Sequence, residues 1–329
     1  MFFLKPSFQI FGRTRFLTLQ GLSVTLMGCS IFLAGAETNT LIRDLVDNGA
    51  PNILLSYYRI HHRKMEADID RWMSQYPEAN WFLDSGAFSY AHNVQARGKV
   101  FDAAAYVAEY FAFIDEYGDR FCRVTECDFD IGGTEIEEVD EYREEMLHRW
   151  PHLNVTPVWH TERGEWAWQE YIRDPRIKAL AMGSGDILQN EGATRRRLNH
   201  AFDEGKPVHG FGLTRINTAL KYLPFDSVDS SAWLMGQKLG STYVFRANKF
   251  RKIPSEKKLQ GRRRYASYFR NIGCDVGALL ADNPDEVRKA NLRAWLGVTD
   301  RFEALKQSGD RAALDNAIRT PIIKRRWRK

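Results

Sequence analysis

The chain has 329 residues, 44% of them hydrophobic and 27% charged, which is enough for one full-sized buried core plus an appendage. It contains no repeat of short period and no low-complexity tract, so solenoid and fibrous architectures are excluded. The net charge of +5 hides an asymmetry: residues 246–329 carry 22 Lys/Arg against 9 Asp/Glu, and the remainder carries 25 against 33. An acidic body with a basic C-terminal third predicts a catalytic domain joined to a polyanion-binding region. The plainer alternative is a solvated basic tail with no partner.

The four cysteines, Cys29, Cys122, Cys127 and Cys274, show no CxxC spacing and no histidine at ligand distance in sequence. They suggest neither a zinc site nor a disulfide framework, which fits a reducing cytoplasm. Residues 16–36 lack charge and follow Lys5, Arg13 and Arg15, a pattern shared by signal peptides and membrane anchors. Thr18, Gln20, Ser23 and Thr25 dilute that run, and its far end reads better as the first strand of a domain. Residues 1–28 are then an N-terminal extension, residues 29–240 the main domain and residues 241–329 the basic region, with no membrane segment.

Strand-like and helix-like runs alternate along the chain. A strand over 31–36 precedes a helix over 39–48 that Gly49 stops. A strand over 52–58 precedes a helix over 64–76 ended by Pro77. The third strand, 80–85, leads to a helix over 101–117 closed by Gly118. The fourth, 121–128, leads to an acidic helix over 137–150, and the fifth, 154–160, to a Trp-rich helix over 165–172. The sixth, 177–182, enters Gly183-Ser184-Gly185-Asp186 and a helix over 194–203. The seventh, 207–213, precedes a short helix over 217–223, and the eighth spans 225–230. Eight strand–helix units predict an α/β fold of the (β/α)8 TIM-barrel class, followed by a basic, mostly helical C-terminal appendage. A doubly wound open sheet is the runner-up, but no GxGxxG or GxxxxGK[ST] loop is present.

In a (β/α)8 barrel, catalytic groups lie at the C-terminal strand ends. That rule collects Asp84, Asp128 or Asp130, His160, residues 183–186, residues 210–214 and the Asp226/Asp229 pair around one mouth. Two carboxylates on opposite walls suit substitution at a sugar carbon, one attacking and one moving a proton. Each aspartate alone is also compatible with a helix-capping role. His160 reads equally as a ligand contact or a satisfied mouth histidine, and Trp81, Phe88 and Trp159 as core.

Three motifs, Leu83-Asp84-Ser85-Gly86-Ala87-Phe88, Val208-His209-Gly210-Phe211-Gly212-Leu213-Thr214 and Ser227-Val228-Asp229-Ser230-Ser231-Ala232-Trp233, occur in this order. Together they resemble the phage and bacterial DNA 7-deazaguanine transglycosylases, relatives of the tRNA-guanine transglycosylases, over residues 30–235. The resemblance implies Asp229 as nucleophile, Asp84 as acid/base group and Asp128 as a purine contact. It also implies Ser85, Gly86, His160, Gly183, Ser184, Gly210, Gly212 and Asp226 as substrate-side residues, Asp226 being a strand-interior companion of Asp229. The glutamine of the tRNA enzymes' fifth strand has no counterpart here, and their Cys3His zinc site is missing. In its place stand basic clusters with interleaved aromatics, from which Arg246, Lys249, Arg251, Lys252, Arg262, Arg263 and Arg264 are expected to bind nucleic acid. The expectation is therefore exchange of guanine in DNA for a free 7-deazaguanine base, without metal or other cofactor, by a monomer or homodimer. A tRNA substrate, a non-catalytic DNA-binding barrel and a metal-dependent hydrolase are the alternatives.

Overall fold

The computed structural model describes residues 29–96, 102–129, 136–183, 185, 187, 190–213, 223, 225–247 and 249–308. Strands β1 (Ser30–Ala34), β2 (Asn52–Ser56), β3 (Asn80–Asp84), β4 (Arg123–Thr125), β5 (Val155–Thr156), β6 (Val158–Trp159), β7 (Leu180–Met182), β8 (Val208–Gly210) and β9 (Ser227–Ser230) form one all-parallel sheet. Its order runs β5-β4-β3-β2-β1-β9-β8-β7-β6. The two edge members, β5 and β6, are halves of one run separated by Pro157. The first half pairs with β4 and the second with β7, so the chain itself closes the sheet into an eight-stranded barrel.

Strict alternation sorts the strand residues. Ile31, Leu33, Ile53, Leu55, Trp81, Leu83 and Val228 point outward into the large core shared with the helices. Phe32, Ala34, Leu54 and Phe82 point inward and form a small separate cluster inside the barrel with Phe211. The helices follow the strands at Asn39–Asp47, Glu66–Gln75, Ala103–Tyr117, Ile136–Arg149, Gly164–Arg173, Glu191–Asp203 and Ala232–Leu239. Capping residues define several starts: Thr38 accepts from Leu41 N–H, Asp102 from Ala105 N–H and Asn190 from Ala193 N–H.

The structure departs from the sequence reading in three places. Tyr57-Tyr58 open a helix, Tyr57–Arg63, instead of extending β2, and a second unforeseen helix spans Ala87–Ala96 directly after β3. The expected helix over 217–223 lies almost wholly outside the described residues. The basic C-terminal region begins with an antiparallel hairpin, β10 (Thr242–Arg246) with β11 (Lys249–Ile253), before its helices. That region shares the main core: Tyr243, Leu292, Trp295 and Val298 belong to the same buried cluster as the barrel wall. The long helix Pro284–Ser308 meets the barrel through Arg288 on Asp44, Arg293 on Asn48 and Glu303 on Asn52, at the end where β2 begins. The described helices include none long and apolar enough to cross a membrane.

Closure at Pro157 needs help, because proline lacks an N–H for the ladder. Glu126, fully buried just past β4, accepts the Val158 N–H on Oε1 at 2.6 Å. Its Oε2 faces the buried Arg143 guanidinium at 3.2 Å, and Arg143 also reaches Asp140 and the Tyr171 hydroxyl. Removing that carboxylate strands a buried N–H and weakens the pairing of a buried cation. Glu126→Ala is expected to cost about 3 kcal/mol of stability in urea unfolding, and Glu126→Gln clearly less.

Candidate active site

Asp84 is the last residue of β3 and Asp229 the third of β9; both continue the inward-facing rows begun by Phe82 and Ser227. Asp128 follows β4 and pairs with His160, which follows β6, at 3.0 Å between Oδ2 and Nε2. The three carboxylates therefore gather at the C-terminal mouth of the barrel, and they sense one another. Burial, then the charges of Asp128 and Asp229, push the Asp84 carboxyl up to about 7, while the Gly86 N–H and Ser56 hydroxyl pull the other way.

Asp229 is nearly buried and held by the backbone. Its Oδ1 accepts the Gly212 N–H at 2.6 Å, and His209 Nε2 lies 3.5 Å from the same oxygen. Gly212 reaches this position with φ of +63°, a left-handed conformation that glycine adopts without strain. Gly86 has φ of +72°, and a Cβ there would come within 2.5 Å of Ser56 Oγ and Tyr58 Cβ. The turn that aims Asp84 into the mouth thus requires glycine.

Several expected substrate residues prove to be structural. Ser85 is fully buried: its Oγ accepts the Ala87 N–H at the start of the helix Ala87–Ala96, and its carbonyl accepts the Tyr106 hydroxyl. Gly210 lacks a Cβ because Leu213 and Phe225 occupy that space, at 2.6 and 3.1 Å. Asp226 is not at the mouth. It precedes β9 at the opposite end of the barrel and forms an ion pair with Arg123, the first residue of β4, at 2.8 Å. Gly183 does end beside β7 at the mouth level, and Ser184 and Asp130 lie outside the described residues. Among the described residues, no group of three His, Cys, Asp or Glu side chains is placed to hold a metal ion.

Sequence reasoning passed over His209 as a side chain, and over Arg123 and Glu126. It also read Phe88 as core, whereas the ring is 64% exposed on the helix that leaves Asp84. The signal for His209 was present: it stands two residues before Phe211 and shares its inward-facing parity.

The basic residues divide by burial. Arg246, Lys249, Arg251, Lys252, Arg263 and Arg264 are exposed. Arg262 is fully buried and spends its guanidinium on Thr242 Oγ1, the Leu279 carbonyl and Asp282, so it serves the fold and is withdrawn as a nucleic-acid contact. The hairpin is seated on the helix Pro284–Ser308 through Asn291, which accepts the Tyr243 N–H, and through Tyr243 and Phe250 on Trp295. Since that helix meets the barrel where β2 begins, the exposed hairpin cations stand at the floor, away from the carboxylates.

The Asp84 carboxyl has a thermodynamic consequence. Its folded-state value near 7 exceeds the ordinary 3.8, so between these limits the folded protein keeps a proton that the unfolded chain releases. Its contribution to stability is full below about pH 4 and is lost as pH rises through about 7. Asp84→Asn is expected to flatten this slope and to gain roughly 1–4 kcal/mol relative to the parent at pH 8, read by urea unfolding across pH.

No protein-family model matches the chain, and neither does any curated protein. Among solved structures it is similar to macrophomate synthase, at 11% identity and a TM-score of 0.44 over 74% of this chain and 86% of that one. It is also similar to an enolase protein from environmental shotgun sequencing of the Sargasso Sea, at 10% identity and a TM-score of 0.37 over 64% and 55%. At these values neither likeness bears on activity, and the barrel assignment rests on the strand order itself.

Proposed function

We propose that the protein is a base-exchanging glycosyltransferase that replaces guanine in DNA with a 7-deazaguanine base such as preQ0 or a derivative. The observation that carries this reading is the pairing at one mouth of two unlike aspartates. Asp229 is fixed by a backbone N–H, as suits a nucleophile, and Asp84 titrates near neutrality, as suits a proton carrier.

In this mechanism the Asp229 oxygen not held by Gly212 attacks C1′ of a deoxyguanosine. The C1′–N9 bond breaks with its electron pair going to guanine, which takes a proton from Asp84. The ionised Asp84 then accepts the N9 proton of the incoming base, whose N9 attacks C1′ and releases Asp229. Two inversions give net retention. Asp128, oriented by His160, is assigned to the base edge. The target nucleotide must leave the stack, at a cost of about a few kcal/mol that binding has to offset. The hairpin cations are assigned to holding nucleic acid, and their place at the floor separates that grip from the reacting groups.

The test is release of labelled guanine from DNA, with and without added 7-deazaguanines, at low salt and with EDTA present. Asp229→Ala and Asp229→Asn are each expected to abolish release while DNA binding persists; turnover in either variant would remove Asp229 as nucleophile. Release from tRNA but not DNA would keep the mechanism and change the substrate. Release from neither would reject base exchange. Reversing charge at Arg246 and Arg251 together is expected to weaken DNA binding about tenfold at low salt and to make its salt dependence shallower.

A further inference from the structure

A continuous polar column crosses the barrel floor from β4 to β9 and rises along β8 and β9 to the mouth. Arg123 at the start of β4 donates to Asp226 Oδ2 at 2.8 Å and to Ser227 Oγ at 3.2 Å. Ser227 Oγ lies 2.9 Å from His209 Nδ1, and His209 Nε2 lies 3.5 Å from Asp229 Oδ1. The two ends of the column set its direction: the Arg123 guanidinium only donates, and the Asp229 carboxylate facing Nε2 only accepts. A guanidinium only donates, so the Ser227 oxygen accepts from Arg123. With its Nε2 edge facing that carboxylate, a neutral ring keeps its proton there, and the Ser227 hydroxyl, with Arg123 on one lone pair, donates its hydrogen to Nδ1. A neutral His209 consequently carries its proton on Nε2, aimed at the Asp229 carboxylate.

The surroundings keep the ring neutral. His209 is fully buried, and Phe32 from β1, Phe82 from β3 and Phe211 pack their rings around it. The charged groups facing it are Arg123 from β4, Asp226 just before β9 and Asp229 from β9. Burial lowers its basicity, Asp229 opposes that and Arg123 adds to it. Among the described residues Nε2 has no hydrogen-bond partner within normal reach. A buried donor left this way is costly, and its nearest acceptor is the aspartate assigned to attack.

We propose that His209 is a positioning residue for Asp229, held in the Nε2–H tautomer between the Asp229 carboxylate and a Ser227 hydroxyl that Arg123 orients. The Nε2–H and the Gly212 N–H bracket Oδ1 and leave Oδ2 free to face the sugar. The contact at 3.5 Å tightens when substrate presses the carboxylate inward, as loose catalytic hydrogen bonds do on forming the reactive complex. Because the imidazole stays neutral, it orients the nucleophile without neutralising it. The same column explains two aspartates three apart on one strand: Asp226 anchors Arg123 at the floor, and Asp229 works at the mouth. The kinetic part of this inference rests on Asp229 being the nucleophile; the tautomer does not.

The first measurement is 15N NMR of the histidine-labelled protein from pH 5 to 8. His209 is expected to stay neutral throughout, protonated on Nε2 and with Nδ1 as acceptor, and to lose that single tautomer in Ser227→Ala. An imidazolium in this range, or a proton on Nδ1, would overturn the lock whether or not the protein exchanges bases. The second measurement is guanine release. His209→Phe is expected to lower kcat about 100-fold with KM little changed. His209→Gln, whose amide can both accept from Ser227 and donate to Asp229, should recover at least about tenfold of that loss. Equal loss in both variants, with NMR showing the expected tautomer in the parent, would leave His209 a packing residue and reject the positioning role.

Discussion

A parallel barrel has to close, and here the closure passes through a residue that cannot donate a hydrogen bond. Pro157 divides the fifth strand into β5, which pairs with β4, and β6, which pairs with β7. The Pro157 carbonyl still accepts the Ala181 N–H, and Glu126 takes the Val158 N–H from inside the wall. Burying a carboxylate for this purpose is tolerable because Arg143, itself tied to Asp140 and Tyr171, compensates its charge. The clasp also sets the mouth. Two residues beyond Glu126 comes Asp128, two beyond Val158 comes His160, and these two side chains meet across the seam. The closure problem and the Asp128–His160 pair are solved by the same four residues.

Inside the ring, apolar rings and a polar column pack against each other. Phe32, Leu54 and Phe82 line β1–β3, and the Arg123–Ser227–His209 column spans from β4 to β8 and β9 with Phe32 and Phe82 against the His209 ring. A barrel interior this narrow leaves little room for water, so every polar atom in it needs a protein partner. The column meets that demand at each step up to Nε2, where the remaining donor faces Asp229. Asp84, across the mouth, has the opposite problem: burial, and then the charges of Asp128 and Asp229, hold its proton to about pH 7. One aspartate is held by donors at the mouth wall and the other is buried beside like charges, so the two carboxylates sit in unlike surroundings.

Much of this was legible in the residues. The run Trp81-Phe82-Leu83-Asp84 alternates, so Asp84 had to share the inward face of Phe82, and the eight strand–helix alternations gave the barrel. The misreading of Asp226 also had its remedy in the sequence. Residues three apart on a strand sit about 10 Å apart along it, so Asp226 and Asp229 were never placed to act together at one mouth. Ser85 was harder, because a serine after a strand-end aspartate reads equally as ligand contact or helix cap, and only the helix beginning at Ala87 decides it. Tyr57-Tyr58 misled because aromatic residues favour strands, while here their rings pack with Tyr106, Tyr110 and Tyr90 behind the mouth in a helix. Pairings remote in sequence, such as Arg123 with Ser227 or Arg143 with Glu126, leave no local pattern to read.

The basic region poses the remaining structural argument. Composition alone cannot say which face a cluster of cations occupies, and the natural assumption is that it lines the catalytic opening. The contacts of the helix Pro284–Ser308 with Asp44, Asn48 and Asn52 put it at the other end instead. Exposed charges act through water over about 10 Å at ordinary ionic strength, less than the length of a barrel strand. On the proposed reading the hairpin cations act on a polyanion through its local concentration and stand too far away to bear on Asp84. At the mouth end stand instead the exposed Phe88, on the helix that leaves Asp84, and Arg59, on the helix Tyr57–Arg63 and paired with the buried Glu37. That reading gives affinity and chemistry to opposite ends of one barrel, and substitutions at the two ends are expected to act on different steps.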